Sequence, residues 1–151
     1  MIRVQKGDFD PNEEIDLITR GNSKIGAIGS FIGLVRAEDS ENPITSLSLE
    51  HYKGMTEKML SNIEKEANNR WKLESSLIIH RVGKLRVGER IVLVVTASAH
   101  RAAALESCNF LIDWLKTKAP FWKYEQKITG GKWVDARLED EKSTKKWNSQ
   151  L

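Results

Sequence analysis

His100 and Arg101 stand side by side where an apolar, β-prone run, Ile91 to Ser98, gives way to a long amphipathic stretch beginning at Arg101. Two side chains that are cationic, or can become so, therefore meet the positive end of a helix dipole. A cation there costs roughly 0.3 to 1 kcal/mol at an exposed site. A bound anion removes the conflict, and the free amides of a first helical turn combined with an arginine fork make a phosphate grip. The competing reading is an exposed arginine that pairs with a nearby acid.

A second constellation is Lys116, Pro120, Phe121, Trp122 and Lys123. One lysine falls in a last helical turn, and the other lies just past a proline that stops the helix. If the segment after Pro120 is extended, Phe121, Lys123 and Glu125 point one way and Trp122 and Tyr124 the other. Lys123 can then turn back toward Lys116. Two ammonium groups close together beside aromatic rings depress each other's pKa from about 10.4. Such a pair can carry protons, act as a nucleophile or clamp an anion. The plainer alternative is also physical: a lysine caps a helix C-terminus well, and a strand lysine is usually solvated.

Other reactive residue types offer less. Cys108 lies in the apolar stripe of its helix and reads as a buried, inert thiol. As the only cysteine it excludes an internal disulfide and fits a reducing cytoplasm. His51, His80 and His100 lack partners at metal-ligand spacing, so no metal site is expected, and His51 and His80 read as structural. The glycines Gly26, Gly29 and Gly33 match no nucleotide-binding pattern, and no cofactor is expected.

The elements that must position these groups follow from periodicity. Asp10, Pro11 and Glu13 start a helix that stops near Gly21. Ile25 to Val35 is a strand bent or closely approached at its glycines, and it delivers Arg36 to a loop. A turn over Asp39 to Pro43 leads to a half-buried strand, Leu47 to His51, with His51 on its apolar face. Met55 to about Trp71 is an amphipathic helix with Met55, Met59, Leu60, Ile63 and Ala67 inward. Strands over Leu77 to Val82 and Ile91 to Ser98 flank a turn region around Gly83 and Gly88. The helix from Arg101 to about Lys118 turns Ala104, Leu105, Cys108, Leu111, Ile112 and Leu115 to the core, and Pro120 ends it. Phe121 to Ile128 and Lys132 to Val134 form a hairpin around Gly130 and Gly131. From Arg137 the chain reads as a polar surface helix.

This irregular interleaving of helices and strands predicts a single α+β domain over 1–151. The length of 151 residues suits one core. Hydrophobic residues at 40% and charged residues at 30% are the balance of a globular chain. Its net charge of +3 and pI near 9.0 favour anionic partners, without a basic tail. No apolar run approaches the roughly 20 residues that cross a bilayer, and the first ten residues lack a secretion signal.

Four stretches, read together, resemble one family. They are Leu49-Glu50-His51-Tyr52-Lys53-Gly54-Met55, Ile79-His80-Arg81-Val82-Gly83, the pair His100-Arg101, and Leu115 to Lys123. In order and spacing they are similar to the large subunit of molybdopterin synthases, over about Phe31 to Trp133. The resemblance implies a hammerhead-like α/β portion with an additional small antiparallel β subdomain, in a cytoplasmic homodimer within a heterotetramer. It implies a small ubiquitin-like partner whose C-terminal glycine carries a thiocarboxylate. The implied substrate is cyclic pyranopterin monophosphate, which receives two sulfurs as its cyclic phosphate opens.

By the same resemblance Lys116 and Lys123 are the catalytic pair and also contact substrate. Arg36, His100 and Arg101 bind its phosphate and pterin in a pocket drawn from both subunits, and Leu34, Val35, Tyr124 and Glu125 line it. Leu34 and Tyr124 stand where relatives often carry basic residues, which lowers the positive charge of the pocket. A basic single-stranded RNA-binding module, with Trp122 and Tyr124 stacking beside Lys123, is the competing class. An inactive scaffold that keeps the partner surface is a third.

Overall fold

The computed structural model describes residues 1–38, 41–134 and 138–148, with backbone alone over 138–141. Asp39 and Ser40 of the expected turn, and Arg137 at the start of the expected tail helix, lie outside the described residues. In chain order the elements are β1 (Ile2–Gln5), α1 (Pro11–Thr19), β2 (Ala27–Leu34), β3 (Ile44–His51), α2 (Met55–Arg70) and β4 (Ser75–Arg81). They continue with β5 (Gly83–Arg86), β6 (Arg90–Ser98), α3 (Arg101–Thr117), β7 (Phe121–Lys127), β8 (Gly130–Trp133) and α4 (Leu138–Lys145).

The larger sheet has the order β1-β4-β6-β2, with β1 parallel to β4 and the other pairs antiparallel. Strand periodicity sorts its side chains onto two buried faces. Leu77, Ile79, Leu93 and Val95 pack with Phe9 and with Ile15 and Ile18 of α1. Ile78 and Val94 face the other way, against Leu60, Ile63 and Ala67 of α2 and Cys108, Phe110, Leu111 and Leu115 of α3. Burial on both sides is why β4 and β6 read as continuous apolar runs. The short β1, whose Ile2 and Val4 alternate with Arg3 and Gln5, gave too little pattern to be read from sequence.

The strand glycines are contact points. A Cβ on Gly29 would lie 2.5 Å from the Ala104 carbonyl oxygen, and one on Gly26 would lie 2.3 Å from that of Ala99. Helix α3 therefore crosses β2 at backbone distance, which only glycine allows. Thr96 donates to the same Ala104 oxygen at 2.6 Å and fixes the crossing.

The smaller sheet, β5-β3-β7-β8, is antiparallel throughout and buries Leu47, Leu49 and Leu85 against Val35 and Ile91. The expected turn around Gly83 proves to be the strand β5, and the turn itself shrinks to Val87 and Gly88. The chain leaves the larger sheet at Val82 and enters the smaller at Gly83, whose φ of +92° suits a residue without a side chain. Arg81, 6% exposed, pins this crossing by donating to the carbonyls of Lys6 and Arg90.

Three further expectations are corrected. Met55 and Leu105 are exposed rather than core residues; Thr56, Ser107 and Phe110 are buried in their helices instead. Gly130 and Gly131 belong to β8, and the hairpin turns at Ile128 and Thr129. The tail is more than a surface helix, because Trp147 beyond α4 is 5% exposed among the core aromatics. The whole is the expected α+β arrangement, a helix-covered sheet with a small antiparallel sheet attached.

Candidate functional site

The C-terminal end of α3 and the first half of β7 bring the lysine-bearing turn into being. Lys116 is exposed in the last helical turn, and the helix closes with the Lys118 amide donating to the Trp114 carbonyl at 2.8 Å. Pro120 then hands the chain to β7. There His51 lies opposite Phe121, Leu49 opposite Lys123 and Leu47 opposite Glu125. Directly opposed residues share a face, so Phe121, Lys123 and Glu125 lie on the inner side with Leu47 and Leu49, as periodicity predicts.

Sequence reading missed the group packed beneath that face. The ring of His80 stacks on Phe121, with centroids 3.7 Å apart and planes 15° from parallel. Its Nδ1 lies 2.8 Å from the Arg81 carbonyl oxygen. A carbonyl can only accept, so Nδ1 carries the hydrogen and Nε2 the lone pair. Burial pushes the His80 pKa down to about 4; the backbone bond to Arg81 opposes this, while the charges of Lys123 and His51 add to it. A neutral imidazole is thus built next to Lys123. The signal available in the sequence was the register of His80 with Ile78 on the face toward α3.

At the end of β2, a register shift between Gly33 and Leu34 turns the strand out toward the smaller sheet. Leu34 is 54% exposed, Val35 only 4%, and Arg36 is exposed beyond them. The Val35 amide donates to Glu89 and its carbonyl accepts from Gly88. Its side chain packs with Leu47 and Leu49, the cross-strand partners of Glu125 and Lys123. Val35 is therefore a core residue that places Leu34 and Arg36 at the lysine end. Tyr124 points away from Lys123, as the period of two predicts. It lies on the outer face, its ring over Gly131, where a Cβ would come 2.2 Å from the phenolic oxygen, and edge-on to Trp133 at 5.2 Å. Of the expected lining, Glu125 shares the face of Lys123 and is 7% exposed.

The N-terminal end of α3 keeps the conflict read from the sequence. His100 is the N-cap residue but makes no side-chain capping bond, and the first turn carries no acid. Both His100 and Arg101 are exposed. They are not close to the lysines of the same chain. Lys116 follows Arg101 by fifteen positions of the helix, about 22 Å along the axis. The site residues thus divide into two groups at opposite ends of one helix.

Other chemistry is limited. Among the described residues no cluster of three or more His, Cys, Asp or Glu could hold a metal ion. Burial pushes the Cys108 thiol up to about 11, opposed by a contact with Thr96, which makes it a poor nucleophile. A shallow groove of about 320 Å³ on the outer face of the smaller sheet is lined by Glu50, His51, Tyr52, Trp122 and Trp133. Tyr52 and Trp122 meet edge to face at 4.4 Å. No helix among the described residues is long and apolar enough to cross a membrane.

Comparison with known proteins agrees with this architecture. The model of the family described as MoaE protein matches residues 4–118. The molybdopterin synthase catalytic subunit of Ralstonia nicotianae is 51% identical over 146 residues, covering 97% of this chain and 83% of that protein. The molybdopterin biosynthesis MoaE protein from Burkholderia ambifaria superposes with a TM-score of 0.83 at 45% identity, over 98% of this chain and 97% of that one. The crystal structure of molybdopterin synthase from Staphylococcus aureus gives a TM-score of 0.82 at 28% identity, over 88% and 96% of the two chains.

Proposed function

This chain belongs to the MoaE protein family, and we propose that it is the catalytic subunit of a molybdopterin synthase. It converts cyclic pyranopterin monophosphate to molybdopterin with a small ubiquitin-like sulfur carrier. Each carrier tail arrives as a C-terminal thiocarboxylate and leaves as a carboxylate, and two transfers make the dithiolene. A cytoplasmic setting fits a chain whose single cysteine is a buried, unpaired thiol.

The observation that carries the site assignment is the length of α3. A phosphate and the carbons next to it span only a few bonds, yet Arg101 and Lys116 of one chain lie about 22 Å apart along the helix. Both can serve one substrate only if they come from different copies. The reading therefore requires a dimer in which His100 and Arg101 of one protomer face Arg36, Lys116 and Lys123 of its partner.

In that composite pocket the helix amides with His100 and Arg101 hold the phosphate. Lys116, exposed at the helix end, meets the charge that develops as sulfur adds, and it can pass a proton to the departing oxygen. Lys123, held on the inner face beside neutral His80, supplies the second positive charge. Leu34 and Glu125 bound the lysine side. The RNA-binding reading loses ground at its own residues: Tyr124 is spread over Gly131, Trp122 meets Tyr52 edge-on, and Glu50 puts a carboxylate in the groove.

The test is reconstitution with thiocarboxylated carrier and cyclic pterin, scored for dithiolene product. Arg101→Ala and Lys116→Ala chains, each impaired alone, are then mixed under conditions that exchange subunits. A mixed dimer contains one pocket with both native residues, so activity should reappear. Failure to complement despite verified exchange overturns the two-copy site.

A further inference from the structure

The groove on the outer face of the smaller sheet holds two indoles in the open. Trp122 is 39% exposed and Trp133 57%, and both line it together with Tyr52, His51 and Glu50. Exposed aromatic area gathered at one place marks a contact site. Each indole is braced from the side by a tyrosine. Tyr52 meets Trp122 at 4.4 Å with planes 82° apart, and Tyr124 meets Trp133 at 5.2 Å with planes 71° apart.

The register fixes how far apart the indoles stand. Trp133 lies directly opposite Tyr124, so Trp122, two residues earlier on β7, is its diagonal neighbour. Diagonal neighbours on one face of a sheet are about 7 to 8 Å apart. Rings in contact are about 3.5 to 4.0 Å apart, so the space between two such indoles takes one planar ring. Glu50, exposed, lies directly opposite Trp122 across β3 and β7 and puts a carboxylate at the edge of that space.

A carboxylate there repels phosphates and accepts N–H groups, and its two oxygens suit a planar ligand with two parallel donors. The amino group and ring N–H of a 2-amino-4-oxopyrimidine are such a pair, carried on a ring that stacks. We propose that Trp122, Trp133 and Glu50 form a second pterin site, with the ring between the indoles and its aminopyrimidinone edge on Glu50. It lies behind β7, across the strand from Lys123, and is separate from the catalytic pocket. The choice of a pterin among rings of this class rests on the reading that this chain works on a pterin.

The test uses the full chain in complex with carboxylate-ended carrier, in an Arg101→Ala background that weakens the catalytic pocket. Binding of 2-amino-4-oxopteridine is read by equilibrium dialysis and should saturate at one ring per chain. Glu50→Gln and Trp133→Leu should each weaken it about ten-fold. The 2,4-dioxo analogue has the same outline without the amino group and should bind about ten-fold more weakly than the pterin. Equal binding of the two rings, or unchanged binding in both variants, overturns the site. Guanosine, which has the same paired donors, is run alongside, and tighter binding of guanosine overturns the assignment to a pterin. Reconstitution with thiocarboxylated carrier keeps the two ideas apart, and Glu50→Gln should make dithiolene with unchanged kcat. No product from the unaltered chain sinks the catalytic reading, whereas failure of the dialysis arms with normal turnover sinks only the second site.

Discussion

The two ends of α3 use opposite means to gather positive charge. At the N-terminal end the backbone does most of the work: free amides and the helix dipole face outward, and His100 and Arg101 are added to an already positive terminus whose first turn carries no acid. At the C-terminal end the dipole is negative, so a lysine there is electrostatically comfortable and gains nothing special from its helix. Lys123 acquires its setting from other elements, namely the strand β7 that carries it and the neutral His80 beneath that strand. One end is a local device and the other a tertiary one. An anion grip tolerates simple construction, whereas groups that must meet changing charge need neighbours of controlled ionisation.

Removing the lysine breaks the comparison most sharply. Lys116→Ala should lower turnover about a thousand-fold while dimer formation and carrier binding persist, measured by product assay and by sedimentation. Normal turnover would remove the C-terminal end from catalysis.

The two ends also depend on how closely α3 lies on β2. Gly29→Val forces a Cβ into the space 2.5 Å from the Ala104 oxygen and should cost about 3 kcal/mol, read by urea unfolding. A smaller loss than Gly7→Val, where nothing stands within 4 Å, would show that the helix can shift off the sheet.

His80 predicts an acid-side weakness of the lysine end. Its folded pKa of about 4 lies below the ordinary 6.5, so between those values the unfolded chain binds the proton more readily. The contribution is complete above pH 6.5 and is lost as pH falls toward 4, about 3 kcal/mol over that window. Unfolding free energy measured against pH should show this slope, and His80→Phe should flatten it. An unchanged slope would place the acid sensitivity elsewhere.

Arg101→Ala is the mildest. It should raise the KM for the cyclic substrate about thirty-fold, the loss of one charge-assisted phosphate contact, with kcat and carrier binding little changed. Retained substrate affinity would leave the N-terminal end without its phosphate.

Much of this was written locally enough to be read. Asp10 caps α1 by accepting from the amides of Asn12 and Glu13, and Pro120 stops α3, because caps and prolines act on adjacent residues. The conflict at His100 and Arg101 was visible for the same reason, since a dipole and its terminus belong to one segment. The outward turn of Trp122 and Tyr124 follows from a period of two and needs no partner.

What the chain order concealed was everything set by pairing across distance. That Gly83 begins a strand of a second sheet depends on β3, some thirty residues earlier, offering an edge. That His80 is held neutral depends on Phe121 closing over it, and that Trp147 is core rather than surface depends on Asp113, Phe110 and Trp71 forming its socket. By itself, then, the sequence determined the helices, the longer strands and the charge at each end of α3, because those follow from neighbours a few residues apart. Only the tertiary structure decided that Arg101 and Lys116 stand a full helix apart and that each lysine has its particular company, because burial and ionisation depend on groups that meet only after folding.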